Sequence, residues 1–198
     1  MKFPVGIQQL IDALSRWPTV GPKTAERFAF YLLRQSPEEL MRLAHAINQL
    51  QARVATCQRC GNLSEQDPCP ICANPQREQD VICIVSDVRD LMTIEDTKQY
   101  SGRYYVLNGE INQLEGHGPE KINLAPLITQ LKNNPVKEII LALNPTIEGE
   151  TTSLYLTKTL RPLCGQISRL ARGLPMGATL EYVDDLTLNN AFKYRNPI

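Results

Sequence analysis

Two CxxC pairs, Cys57-Gln-Arg-Cys60 and Cys69-Pro-Ile-Cys72, lie eight residues apart. Two such knuckles bring four thiolates to the tetrahedral spacing that a structural zinc requires. Residues 61–68 between them are polar and contain no apolar run that could form a core. Without a metal this stretch has little reason to be ordered. The competing readings are a pair of disulfides or a redox CxxC. A redox pair opens a helix within a βαβ unit, and neither pair here follows a stretch that reads as a strand. With no fifth ligand nearby, the quartet is closed, so the expected zinc is structural and not catalytic. The other two thiols, Cys83 and Cys164, sit in apolar segments and read as ordinary buried residues.

Thiols left unpaired beside a metal cluster point to a reducing compartment. The sequence shows no charged-then-apolar leader and no long apolar span, so the expectation is a cytoplasmic chain with no membrane partner. At 198 residues and 42% hydrophobic content, one full domain plus a smaller one is expected. Twenty-one basic and 21 acidic side chains cancel, which argues against generic polyanion binding by a monomer. The distribution is uneven: residues 1–56 hold seven basic and four acidic groups, and residues 57–80 hold two and four. The basic excess lies in the N-terminal region.

Three regions separate by pattern, at 1–56, 57–80 and 81–198. In the first, Ile7, Leu10, Ile11 and Leu14 recur at helical spacing, and Trp17-Pro18-Thr19-Val20-Gly21-Pro22 breaks the chain. A second helix is predicted from Lys23, with Ala25, Phe28, Ala29 and Leu32 on its buried face. Ser36-Pro37-Glu38-Glu39 is a capping box with proline at the first helical position, opening a third helix. Leu40, Leu43, Ile47, Leu50 and Val54 then form a narrow heptad seam. Packing against the first two helices accounts for this seam; contact with another subunit is the alternative. The second region is the zinc module. The third opens on Val81-Ile82-Cys83-Ile84-Val85, an apolar run of strand length. Helices are predicted over 88–97, 124–133 and 150–162, and strands over 104–107, 138–143 and 167–170. This alternation predicts an α/β domain with a mostly parallel sheet covered on both faces. The long loops, 108–120 and 173–186, are rich in glycine, proline and acidic residues, and loops of that length in a compact domain are usually functional or meet a partner.

The turn at Val20-Gly21-Pro22-Lys23 resembles a helix-hairpin-helix. Such a hairpin turns backbone N–H groups and the positive end of its second helix toward a phosphate, without regard to base identity. Gly21 supplies the turn. Lys23, Arg27 and Arg34 fall within roughly 40° of one another at helical spacing and make one basic stripe opposite Phe28 and Leu32. The usual hairpin carries Gly-x-Gly, and Thr19 takes the first place here. Taken alone, the pattern fits DNA binding or a solvated basic face equally well.

The order of hairpin, four-cysteine module and α/β domain resembles the bacterial recombination mediator RecR family. The likeness extends through Ser101-Gly102-Arg103-Tyr104, Gly116-His117-Gly118-Pro119, Asn144-Pro145-Thr146-Ile147-Glu148-Gly149-Glu150 and Ala171-Arg172-Gly173-Leu174-Pro175. It implies that the third region is a Toprim domain and that the chain forms a ring-like homo-oligomer built from dimers, a dimer or a tetrameric ring. It also implies partnership with RecO and RecF in loading RecA onto single-stranded DNA. Catalytic Toprim domains hold magnesium with a glutamate after the first strand and an Asp-x-Asp after a later one. By resemblance those places hold Ser86 and Asn144-Pro145-Thr146 here, so an enzyme is not expected. A residual Toprim nuclease or topoisomerase-like activity is the alternative, and Asp87, Asp90, Glu148 and Glu150 could hold a hydrated magnesium weakly. Glu148 and Glu150 suit the first turn of a helix, and they also suit a docking point for a basic partner. His117, in its glycine-rich loop, reads as a loop hydrogen-bonder and not a base. Leu180-Glu181-Tyr182-Val183-Asp184-Asp185 resembles a Walker B strand, but no phosphate-binding glycine loop accompanies it, so it reads as a structural C-terminal segment.

Overall fold

The computed structural model describes residues 3–195. Contacts divide the chain into two units, Met1–Val54 and Ala55–Ile198. The first contains three helices: α1 (Val5–Leu14), α2 (Pro22–Leu32) and α3 (Pro37–Arg53). Ile11 and Leu14 of α1 pack on Ala25 and Ala29 of α2, with Ile7, Leu10 and Val20 around them. Two alanines on one helix let α1 approach closely, and this small cluster is the buried core of the unit.

The sequence places Phe28 on that buried face, and the structure corrects it. Phe28 lies roughly 80° around α2 from the Ala25–Ala29 line, at 100° per residue, and is exposed. Arg34 also departs from expectation. It follows the C-cap residue Leu33, and its N–H bonds to the Tyr31 carbonyl in the closing turn. Helix α3 starts where predicted: the Ser36 side chain accepts the Glu39 N–H at 3.2 Å, and Pro37 occupies the first position. The expectation that its seam packs onto α1 and α2 fails. No described residue of α3 is buried, and Leu50 is 64% exposed. Helices α1 and α2 satisfy one another through a single narrow stripe, which leaves the heptad seam of α3 uncovered within its unit.

The second unit opens on a short antiparallel hairpin, β1 (Ala55–Thr56) with β2 (Leu63–Ser64), followed by one helical turn, α4 (Pro70–Ala73). The remaining strands are β3 (Glu78–Val85), β4 (Gly102–Val106), β5 (Val136–Ala142) and β6 (Cys164–Arg169). They form a four-stranded sheet in the order β4-β3-β5-β6, and every neighbouring pair is parallel. Helices α5 (Val88–Asp96), α6 (Ala125–Asn133) and α7 (Ile147–Leu160) connect them, and α8 (Asp185–Lys193) comes after the sheet. The sheet is covered on both faces, as the alternation of strands and helices predicts. On one face Cys83, Val85, Tyr104, Val106 and Ala142 enclose Leu91 of α5. On the other, Ile82, Ile84, Tyr105, Ile139 and Leu141 meet Leu127 and Leu131 of α6 and Leu156 and Leu160 of α7. Strand β3 is central, so its apolar run has no solvated side.

This topology fixes where a site can form. The chain leaves β3 through α5 on one face and leaves its neighbour β5 through α7 on the other. A crevice therefore opens beyond the carboxyl ends of β3 and β5, the position at which open α/β sheets bind ligands. Ser86 and Asn144 stand at its two lips. The turn from β5 into α7 is tight: a Cβ on Gly149 would clash with the Asn144 carbonyl oxygen, so any side chain there would force the turn to shift. The stretch resembling a Walker B strand is not extended. Leu180–Tyr182 is a 3-10 turn, and Asp184 caps α8 by accepting the Thr187 N–H at 2.9 Å.

Thr19 in the α1–α2 turn has a φ of 64°. A β-branched residue in the left-handed region is strained, whereas glycine is not. Thr19→Gly is expected to stabilise the hairpin by about 0.5–1 kcal/mol, the relieved strain exceeding the added chain entropy. Denaturant titration reads this as a higher midpoint; an unchanged or lower midpoint refutes the strain.

Candidate metal centre and nucleic-acid interface

The hairpin β1–β2 and the turn α4 position the four cysteines. Cys57 follows β1, a two-residue strand too short to register as a pattern in the sequence, and Cys69 is the N-cap of α4. All four Sγ atoms lie within 4.8 Å of one another, and Cys60 and Cys69 are 3.6 Å apart. That separation is far outside disulfide bonding, and it matches the edge of a tetrahedron with Zn–S bonds of about 2.3 Å. Backbone N–H groups already point at the sulfurs: Cys69 N–H donates to Cys57 Sγ at 3.4 Å, and Cys72 N–H to Cys69 Sγ at 3.5 Å. Such bonds stabilise thiolates over thiols. Cys72 is pulled down to about 6, first by the hydrogen bond from the Cys60 thiol and also by the nearby Arg59 guanidinium. Burial pushes Cys69 upward, and Cys60 rises because its proton is held against Cys72. The donor set fits one structural zinc. Cys83, by contrast, is an isolated buried thiol pushed up to about 12 by desolvation.

The metal module is joined to the sheet. The Cys60 carbonyl accepts the Val106 N–H at 2.8 Å, so the first knuckle covers part of the open side of edge strand β4. Gly61, with φ of 75°, sits so close that a Cβ would meet the Val106 carbonyl oxygen at 2.9 Å. Ile71 of α4 packs into the Cys83–Val85–Leu91 cluster.

In the first unit, Gly21 is the N-cap of α2. It offers no side-chain cap, and the first turn carries no acidic residue. Pro22 has no N–H to satisfy, and the N–H groups of Lys23 and Thr24 have no acceptor among the described hydrogen bonds. They lie at the positive end of the helix, an arrangement suited to a phosphate oxygen. Lys23 and Arg27 are exposed on α2, and exposed Arg34 stands just beyond its end. None of the three belongs to a described ion pair.

In the crevice of the sheet the remaining carboxylates are engaged. Ser86 donates its hydroxyl to Glu110, a residue that no sequence pattern singles out. Asp87 caps α5, accepting the Arg89 N–H at 2.8 Å, and Asp90 accepts the Asp87 N–H at 3.1 Å. Arg89 holds the Asp87 carboxyl below the usual carboxylate range. Thr146 is the N-cap of α7, accepting the Gly149 N–H at 3.1 Å. Glu148 accepts a long bond from the Asn112 amide at 3.4 Å. Glu150 is held by two arginines, Arg172 and, at 3.4 Å, Arg169. Arg169 in turn bonds the Tyr194 hydroxyl and stacks over that ring, so Glu150 is the hub that fastens the C-terminal segment to α7. Neither arginine could be paired with it from sequence, because the partners lie about twenty positions away with no periodic signal. His117 takes part in a backbone bridge with Asn112. Among the described residues, the four cysteines alone bring three or more His, Cys, Asp or Glu ligand atoms together.

Known families match these same segments. Residues 7–51 match the RecR helix-hairpin-helix, residues 54–74 the four-cysteine zinc finger domain of RecR, residues 80–171 the Toprim domain and residues 173–196 the RecR C-terminal region. The chain is 47% identical to "Recombination protein RecR" of Bifidobacterium longum subsp. infantis, covering 98% of each chain. It is also 47% identical to that of Bifidobacterium animalis subsp. lactis, over 100% of this chain and 99% of the relative. The Staphylococcus saprophyticus protein of the same name is 42% identical over 98% of each. The chain belongs to the RecR family. Its Toprim match and its zinc finger match agree with the all-parallel sheet and the sulfur geometry described above.

Two expectations arise from this geometry. Cys60→Ser removes one thiolate and leaves the others without their charge-balancing metal, so zinc content by elemental analysis should fall from one per chain to near zero. Hydrogen exchange should then lose protection over residues 57–72 and at Val106, while β6 stays protected. Well-folded native protein without zinc would contradict the assignment. The second expectation concerns pH. The Arg172 hydrogen bond, with lesser attraction from Arg169, holds the Glu150 carboxyl below its usual range. A depressed folded-state value stabilises fully above the ordinary carboxylate range and loses its effect as pH falls through the depressed value. Acid should therefore release α8 before the sheet opens, and Glu150→Gln should show the same release at neutral pH. Exchange rates in α8 that do not respond to either change would refute this hub.

Proposed function

We propose that this chain is a non-enzymatic DNA-binding clamp and partner platform in recombinational repair, helping to load RecA on single-stranded DNA with RecO and RecF. The observation that carries the reading is the uncapped start of α2. Gly21, the N–H groups of Lys23 and Thr24, and the side chains of Lys23, Arg27 and Arg34 offer a phosphate grip with no carboxylate in the first turn. Backbone N–H groups and flexible cations grip any sequence, which suits a protein that acts wherever damage leaves a single strand. The names of the relatives, each a recombination protein, support the same role.

Homo-oligomerisation supports the grip. A chain of zero net charge with about three phosphate contacts binds DNA weakly at physiological salt. Repetition of the stripe in a dimer or tetrameric ring raises the effective concentration of each further contact. The uncovered seam of α3, Leu40, Leu43, Ile47, Leu50 and Val54, is an apolar surface suited to such assembly. The face around Glu148 and Glu150 is proposed as the docking point for a basic partner, whose cation would share Glu150 with Arg172. A residual Toprim nuclease lacks support: Ser86 and Asn144 replace carboxylates, and Asp87 and Asp90 are occupied as helix caps. No described helix is long and apolar enough to cross a membrane, which agrees with the proposed cytoplasmic, nucleoid-associated location.

The double variant Lys23→Glu with Arg27→Glu is the test. Both side chains are exposed, so zinc content and assembly should be unchanged while binding to a labelled oligonucleotide is abolished. Native binding should be indifferent to sequence and should weaken steeply with salt. With magnesium, the native protein should leave supercoiled DNA uncut. Native-like DNA affinity in the charge-reversed protein at moderate salt would make the hairpin a packing element, and metal-dependent nicking would make the chain an enzyme.

A further inference from the structure

A second group of cations lies in the other unit, at the junction of the first zinc knuckle, β4 and α6. Arg59 stands between the zinc ligands on an exposed knuckle, and Arg103 projects from the edge strand. Together with Gln58, Thr129, Gln130 and Asn133 they line an open cleft. A smaller hollow continues from it behind Arg59, Arg103 and Gln130, toward Tyr104 and Tyr105. No aspartate or glutamate lines either space. The nearest carboxylates, Asp67 and Asp80, are held by the Gln58 N–H and by Lys137.

Two buried polar atoms beside the hollow have no hydrogen-bond partner: Arg103 Nε and Tyr105 Oη. Tyr105 is 2% exposed. Arg103 is anchored by a bond to the Gln79 carbonyl at 2.6 Å, and its buried Nε–H has no acceptor. A guanidinium N–H buried in this way is costly unless an acceptor arrives. Arg59 makes no described ion pair. Its charge also favours the Cys72 thiolate, yet its exposure leaves its outer face available to a ligand.

We infer that this cleft is a second contact for the sugar–phosphate backbone of single-stranded nucleic acid, with Arg59 and Arg103 on successive phosphates. The lining decides the class of ligand. Guanidinium and amide groups suit phosphate and sugar oxygens, and no large exposed apolar residue is present to anchor a protein partner. Because the cleft belongs to the zinc unit, the metal module would hold a DNA contact as well as a sheet edge. The inference rests on the reading of the chain as a DNA-binding protein, and the test separates the two.

The probe is a labelled oligo-dT bound to the full-length zinc-loaded protein, followed by anisotropy across a salt series. Arg59→Ala removes no hydrogen bond of the fold, and Arg103→Lys keeps the charge while removing the Nε donor and the planar fork. Each phosphate of a single strand that the protein no longer neutralises lowers the slope of log K against log salt by about 0.7. Arg59→Ala should show that drop, with affinity falling several-fold at about 0.1 M salt, while elemental analysis still finds one zinc per chain. Arg103→Lys should weaken binding with little change in slope. Unchanged affinity and slope in Arg59→Ala, alongside loss of binding in Lys23→Glu with Arg27→Glu, would overturn this site and leave the hairpin reading intact. Unchanged binding in both sets would overturn both. Loss of polyglutamate binding without loss of oligo-dT binding would make the cleft a surface for acidic protein, and overturn it too.

Discussion

Four thiolates cannot be brought within 4.8 Å of one another unless a cation offsets their repulsion. The zinc that does so converts a polar stretch into an ordered module, and the binding free energy of such a metal is folding free energy. The consequence reaches beyond residues 57–72. Edge strand β4 would present unpaired backbone groups on its outer side, a template for unwanted strand pairing. The Cys60 carbonyl takes one of those groups at Val106, the absent side chain of Gly61 permits the approach, and Ile71 adds apolar contact from α4. Arg77, between α4 and β3, bonds the Tyr100 and Gly102 carbonyls and pairs with Glu95 of α5. The metal therefore holds the side of the sheet opposite β6.

The parts of this architecture that are legible in the sequence share one property: their cause is local. The cysteine spacing, the Ser36 cap and the unbroken apolar run of β3 each depend on residues within a few positions. The strands lie one to three residues from their predicted places, since β5 and β6 begin at Val136 and Cys164, where the apolar pattern is weak but the parallel neighbour still supplies hydrogen bonds. Partnership at a distance is what the sequence does not convey. Nothing near Glu150 announces Arg169 or Arg172, and nothing near Ser86 announces Glu110. The apolar seam of α3 is legible as a seam, yet the small core of its own unit does not cover it. Phe28 departs from its predicted place for a geometric reason. A buried stripe set by two alanines is narrower than the apolar arc that the residue types suggest.

Thr19 illustrates how function and local rule part company. The turn before α2 requires a left-handed residue, and threonine accepts it at a cost in strain. The turn keeps its shape because Gly21 and Pro22 fix the path of the chain into α2, with Pro22 pre-set for a first helical turn. The same proline has no N–H, so the helix start leaves one donor fewer to satisfy. Local strain at Thr19 and an uncapped helix start at Gly21 both lower stability, and both lie beside the cations of the proposed grip.

The crevice at the ends of β3 and β5 makes the complementary case. The fold provides the switch-point cleft that a ligand would enter, and the side chains at its mouth are engaged in internal bonding. Ser86 commits its proton to Glu110, Asp87 and Asp90 satisfy backbone N–H groups at the start of α5, and Thr146 does the same for α7. A magnesium ion needs oxygen ligands that remain available and nearly octahedral. Asp87 and Asp90 each accept a backbone N–H, so a cation drawn to them would compete for electron density with those bonds at the start of α5. The crevice is thus held from both lips by its own hydrogen bonds, and the proposed phosphate grip belongs to the other unit, at the start of α2.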